Sequence, residues 1–436
     1  MRVKPKAILA VAVIAMGILA GAAPENSSRL VSVQQLPENM EMCSWNESIG
    51  ALQQEPPTTL MATLQQGIGD LPITEQQERE AAAARAAGAR VPVRTIRDTA
   101  PTYSAIAFDA NSDEVILQDN NLWSYRVFDR LDNSPPDAEM TKPKRIVQGD
   151  KTALQFNNGL YVDPQSGDIF SVESDTGDKM VRFPREANGN VSPKVILHTP
   201  HRVYNIAADE VKQELFVTVE FPPEVVVYRK DASAEEQPLR RIAGDNTGLD
   251  APHGIAVDEK NRLLFVNTWG HHSNFRIAGT GMYFPPAIKV YSLDASGDAK
   301  PLRVITGDKT QLNWPAAMKF NPDNGDLYVA NDISQSVLVF ANASTVQGDI
   351  APARVIKGPQ TRLRNPTGLA LDRKHQELWV SNLGNASATA YPLMANGDVA
   401  PLRIIRSAEE SKRSLNFGRT AAVTYDPVRQ EILVPN

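Results

Sequence analysis

Three of the six histidines in this 436-residue chain fall close together: His253, and the adjacent pair His271 and His272. The pair lies in a segment running from Trp269 to Pro286 that also carries Arg276, Tyr283 and Phe284. An imidazole is the side chain best placed to exchange a proton near neutral pH, so His253 is the candidate general base. Glu173 and Glu220 offer carboxylate oxygens, and Asn267, Asn331 and Asn382 offer amide oxygens, the donor types that hold a hard cation such as Ca²⁺ or Mg²⁺. Each has a quieter reading. Asn, Asp and Glu at strand ends commonly bond their own turn backbones, which is the favoured reading of these oxygens, and adjacent histidines commonly sit on an exposed loop. No nucleophile elbow, phosphate-binding glycine loop, HExxH helix or CxxC pair occurs, so any catalysis must come from groups that the fold brings together.

The elements that would do so repeat. A short apolar strand ending in Asp or Asn recurs seven times, as AIAFD (105–109), GLYVD (159–163), NIAAD (205–209), GIAVD (254–258), AMKFN (317–321), GLALD (368–372) and AVTYD (422–426). After a tight turn each is followed by a second strand such as DLYVAN or ELWVSN, the pattern of a hairpin. Six copies add a third strand rich in β-branched and aromatic residues, as in IKVYS and VLVFA. A fourth begins at proline, as in Gly297-Asp-Ala-Lys-Pro-Leu-Arg-Val-Ile, and suits an outer edge where a missing N–H breaks no ladder. Four strands in about 50 residues make a β-propeller blade.

The fold expected over residues 92–436 is therefore an all-β propeller of four-stranded blades. Seven first strands favour seven blades, with six the runner-up. Residues 92–97 match the outer-strand pattern and would complete the blade of residues 420–436, with Arg29 to Val33 a candidate for its missing third strand. Such closure removes exposed edges. Loops that enter the first strand and leave the second share one face, so Glu173, Glu220, His253, Asn267, Trp269, His271, His272, Asn331 and Asn382 are expected around one channel mouth. His375 falls on the opposite face.

These repeats, G-[LI]-A-[LV]-D followed by ELWVSN-like and IKVYS-like strands, resemble the bacterial secreted propellers of the NHL and YVTN repeat type over residues 92–436. The resemblance implies architecture more than activity, since related propellers serve as binding platforms, lactonases, lyases and assembly subunits.

Before the repeats, Arg2, Lys4 and Lys6 precede an apolar run over residues 7–23 that contains Ala20-Gly21-Ala22, the pattern of a cleaved signal peptide at residues 1–22. Residues 23–91 read as a leader whose helix starts at Thr74 and ends at Gly88. The protein is expected to be secreted or periplasmic, with no membrane span once the signal is removed. Lys and Arg total 45 against 51 Asp and Glu, and no basic run occurs, which argues against nucleic acid. The single Cys43 forms no internal disulfide.

Two functions follow. The first is a non-enzymatic platform that binds a protein, peptide, glycan or small molecule at the channel mouth. The alternative is a hydrolase or lyase for a lactone or cyclic ester, with His253 as base and Glu173 or Glu220 helping to hold the divalent cation.

Overall fold

The computed structural model describes residues 102–134, 140–272 and 282–406, and the strands Thr424–Asp426 and Glu431–Leu433; for His271, His272, Met282 and these last two strands only the backbone is described. All belong to the unit Pro92–Asn436. The proposed signal peptide, leader helix and ring-closing strand at 92–97 lie outside the described residues.

Six sheets of four antiparallel strands follow one another along the chain, over residues 103–148, 157–198, 203–243, 252–306, 315–357 and 366–406. In each the strand order follows the chain order, apart from a two-stranded hairpin, His271–His272 with Met282–Tyr283, inserted after the second strand of blade 4. The innermost strands Tyr103–Asp109, Asn157–Val162, Val203–Asp209, Pro252–Asp258, Pro315–Asn321 and Pro366–Asp372 touch in cyclic order, the last against the first. The propeller is thus six-bladed, and the expectation of seven is corrected. The seventh first strand does form a hairpin, Thr424–Asp426 with Glu431–Leu433, but its strands pair only with each other among the described residues. Counting first strands overcounts blades when the last copy lacks the outer strands a blade needs to cover its neighbour.

Alternation explains the packing. Each second strand is buried along its whole length because both its faces meet neighbouring blades, and it reads as a nearly continuous apolar run. Between blades these side chains form separate clusters, such as Phe216, Val225, Leu264, Val266 and Tyr291 at the junction of blades 3 and 4. Full burial of each is worth roughly 1.5–3 kcal/mol.

The outer rim is held by a repeated clasp. At all six junctions a backbone N–H in the loop before the outer strand of one blade donates to a carbonyl in the outer strand of the preceding blade. The pairs are Gly189 to Ile146, Ala234 to Ile196, Gly297 to Arg241, Gly348 to Val304, Gly397 to Val355 and Ser134 to Ile404, at 2.7 to 2.8 Å. At four junctions the residue after the glycine also caps a 3₁₀ turn of the preceding blade: Asn190 accepts from the Lys151 N–H, Asp298 from Asn246, Asp349 from Lys309 and Asp398 from Gln360. Gly307, which opens one such turn, has φ 121° and leaves no room for a Cβ beside Asp349. The clasp between Ser134 and Ile404 joins the last blade to the first.

A second repeat is ionic. The Arg that begins the outer strand pairs with the acid that begins the second: Arg145 with Glu114 at 2.6 Å, Arg240 with Glu214 at 2.6 Å, Arg354 with Asp326 at 2.6 Å, and Arg403 with Glu377. In blade 2 Lys194 and Arg182 share Asp168. In blade 4 the acid is replaced by Leu263, and Arg303 has no partner among the described residues, with Nε and Nη2 buried. Because Leu263 is itself buried, the ion pair shows against a matched polar side chain: Leu263→Glu should be more stable than Leu263→Gln by about 1.5–3 kcal/mol, the worth of a hydrogen bond to a charged group. Urea midpoints of the parent, Leu263→Glu and Leu263→Gln check this; a Glu variant no more stable than the Gln variant refutes it.

Candidate functional site

The upper face, where innermost strands begin and second strands end, is shaped by an irregularity common to all blades. Each innermost strand carries a β-bulge near its start, for example between Pro252 and Ile255, which re-aims the side chains at the channel mouth.

The polar residues ending the second strands are buried and occupied. Both Glu173 oxygens accept hydrogen bonds within one turn, from the N–H groups of Asp175, Thr176, Gly177 and Asp178 and from the Thr176 hydroxyl, at 2.5 to 3.0 Å. Burial pushes this carboxyl up, but those donors more than offset it and hold it below its ordinary range. Asn331 Oδ1 accepts from the Asn313 N–H at 2.6 Å while its amide donates to Gln311 O and Ser336. Asn382 does the same with Arg364, Val380, Ser387 and Thr389. Asn267 Oδ1 accepts from the Gly254 N–H at 2.7 Å, and a Cβ at Gly254 would lie 2.5 Å from Asn267 Nδ2 and 2.6 Å from Ala316 O. The three asparagines thus tie second strands to the first strands or the loops that enter them. Among the described residues no three His, Cys, Asp or Glu side chains group as metal ligands.

His253, Glu220 and Trp269 do converge. The His253 imidazole is 0% exposed, with ring centroids of Tyr204 at 3.5 Å and Trp269 at 3.3 Å. Trp269 stacks in turn on Trp314, at 4.6 Å and 14° between planes. Glu220 Oε1 lies 3.7 Å from His253 Nε2, and Arg202 pairs with Glu220 Oε2 at 3.4 Å. Burial pulls the imidazole down to about 4, against the upward pull of Glu220, so it is neutral at pH 7. Tyr204, His253, Trp269 and Trp314 together form an aromatic ledge across blades 3, 4 and 5, with Tyr204, Trp269 and Trp314 half-buried. Glu173, Asn331 and Asn382 stay in blades 2, 5 and 6, the first bonded to its own turn and the other two to the loops that enter their first strands. His271 and His272 stand on the inserted hairpin; on it Tyr283 is 82% exposed. His375 bonds Asp372 on the lower face.

Tyr204 and Trp314 were not singled out from the sequence. The second positions of the innermost strands, Ser104, Asn158, Tyr204, His253, Ala316 and Thr367, hold the signal: the two aromatic rings occupy neighbouring blades.

No protein-family model and no curated protein matches the chain. Among solved structures, hydrazine synthase of Kuenenia stuttgartiensis is similar at 10% identity and a TM-score of 0.44, over 69% of this chain and 79% of that one. The fold assignment rests on the blades themselves.

The buried imidazole predicts a pH dependence. Unfolded His253 takes a proton near 6.5 and the folded one only near 4. The unfolded state therefore binds more protons in between, and stability, complete above about 6.5, falls as pH drops toward 4. Urea unfolding at pH 7 and pH 4 should show His253→Phe gaining on the parent by on the order of 2–3 kcal/mol between the two; an equal loss in both proteins contradicts it.

Proposed function

We propose that the protein is a non-enzymatic binding platform, an NHL-like propeller that holds its ligand on the upper face and works in the periplasm or outside the cell. The observation that carries this reading is the aromatic ledge of Tyr204, Trp269 and Trp314, set beside polar groups already consumed by structural bonds. Half-buried rings on a rigid scaffold present apolar area at little entropic cost, which favours recognition over turnover. Export is supported by the charged start, apolar run and Ala20-Gly21-Ala22 of the sequence. The ligand classes that suit such a ledge are a protein, a peptide, a glycan or a small molecule.

The lactone hydrolase reading asks more of the same residues. A general base must reach the proton it removes, and a cation site needs oxygens with free lone pairs. His253 is covered by Tyr204 and Trp269, and Glu173 spends both oxygens on its turn.

Peptide and glycan arrays probed with the parent, with Trp314→Ala and with the lower-face control Arg373→Ala test the proposal. Bound ligands should lose about tenfold in affinity or more, about 1.4 kcal/mol, in Trp314→Ala and nothing in Arg373→Ala. Ligands lost only in Arg373→Ala, or hydrolysis of γ- and δ-lactones by the parent with Ca²⁺ or Mg²⁺, would overturn it.

A further inference from the structure

Beside the aromatic ledge, a cleft of about 560 Å³ opens on the upper face between blades 4 and 5. This is within the range of small-ligand sites. Its walls are hydroxyls, amides, one carboxylate and one ammonium, with Pro285 and Pro286 as an apolar shoulder where the blade 4 insertion returns to the sheet. Asn313, on its lining, directly precedes Trp314 in the chain.

Several of its polar side chains are unengaged. Asp150, the counterpart of Asp308 at the junction of blades 1 and 2, accepts from the Asn190 amide at 2.5 Å, whereas Asp349 stands in the place of Asn190 at this junction and has no amide to donate. Neither Asp308 nor Lys357, which ends the outer strand of blade 5, bonds any described residue through its side chain; nor does the amide of Gln311. Ser334 accepts from Asn313 and keeps its hydroxyl hydrogen for another acceptor. The cleft therefore presents donors and acceptors together, with opposite charges in balance.

From this we infer that the cleft is a subsite for a neutral oligosaccharide, an inference that rests on the binding-platform reading and names its ligand class. A sugar ring supplies alternating hydroxyl donors and acceptors for the amide, carboxylate and ammonium groups, and an axial C–H face that packs on proline and indole. A lipid tail would leave the amides, the carboxylate and the ammonium of the cleft unpaired. An extended peptide binds by adding to a strand edge, and the edge of the outer strand Arg354–Lys357 is taken by Gly397 of the next blade.

The test is calorimetric titration of the full-length protein with cellopentaose, chitopentaose, maltopentaose and a mannopentaose, repeated with Gln311→Ala, Lys357→Ala and Trp314→Ala. At least one sugar should bind, and Gln311→Ala and Lys357→Ala should each weaken it about tenfold with an unchanged melting temperature. Gln311 and Lys357 are exposed and make no side-chain bonds to described residues, so their truncation should leave the fold intact. Binding indifferent to both substitutions overturns the subsite, as does no binding by any of the four sugars at about 1 mM. If no sugar binds but a peptide is lost in Trp314→Ala, the subsite fails and the platform stands; if every ligand found is indifferent to Trp314→Ala as well, both fail.

Discussion

The clasp between consecutive blades is the constraint on which everything else in the ring depends. A four-stranded sheet on its own has two apolar faces and two open edges, and its outer edge is the one most exposed to mispairing. Here the loop before the outer strand of each blade places one N–H on the outer strand of the blade before it, and at four junctions a following Asn or Asp caps the turn beneath. Each such bond is worth only about 1 kcal/mol net. Repeated at six junctions, the bonds fix the rotation between blades, and that rotation sets how many blades close the ring.

With the ring fixed at its rim, the blades are free to differ elsewhere. Blade 4 departs most, through its inserted hairpin and through the loss of the acid that pairs with the outer-strand Arg in the other blades. The same blade supplies His253 and Trp269, and its returning prolines form a wall of the neighbouring cleft. A buried cation without its acid costs stability. The five blades whose ion pairs are complete carry that cost, and the irregular blade is the one at the centre of the ledge that spans blades 3 to 5.

Much of this was legible in the sequence, for physical reasons that differ by element. The strands were readable because a blade's second strand must be apolar on both faces and its first must end in a turn former, giving GLALD followed by ELWVSN. The Gly297-Asp298 type of repeat was visible as a turn, but its role as a bond to the preceding blade was not, since the partners lie about 50 residues apart, a blade length. Blade number was misjudged for a related reason. It depends on whether Pro366–Asp372 reaches Tyr103–Asp109, a contact between distant parts of the chain that no local pattern encodes. His253, Glu220 and Trp269 could be placed on one face from strand topology alone, and in the structure they are neighbours. That His253 would be enclosed was not foreseeable without Tyr204, which belongs to another blade.

The rim residues teach a more general point about reading a repeat protein. Glu173, Asn331 and Asn382 attract notice because buried carboxylates and amides look chemical, yet they recur at one structural position, and recurrence is what a structural duty produces in every blade. Where the second strand stops, the backbone N–H groups of its turn or of the neighbouring entry loop need an acceptor, and a side chain at that position supplies it. Function in a repeat lies where a position breaks its own rule. Tyr204 and His253 place rings where the other blades have small or polar residues, and Leu263 stands where an acid is expected. The first two lie on the upper face of blades 3 and 4, and the third lies in blade 4. The departures from the repeat, more than the residues of conspicuous chemistry, locate the surface that this propeller presents to a ligand.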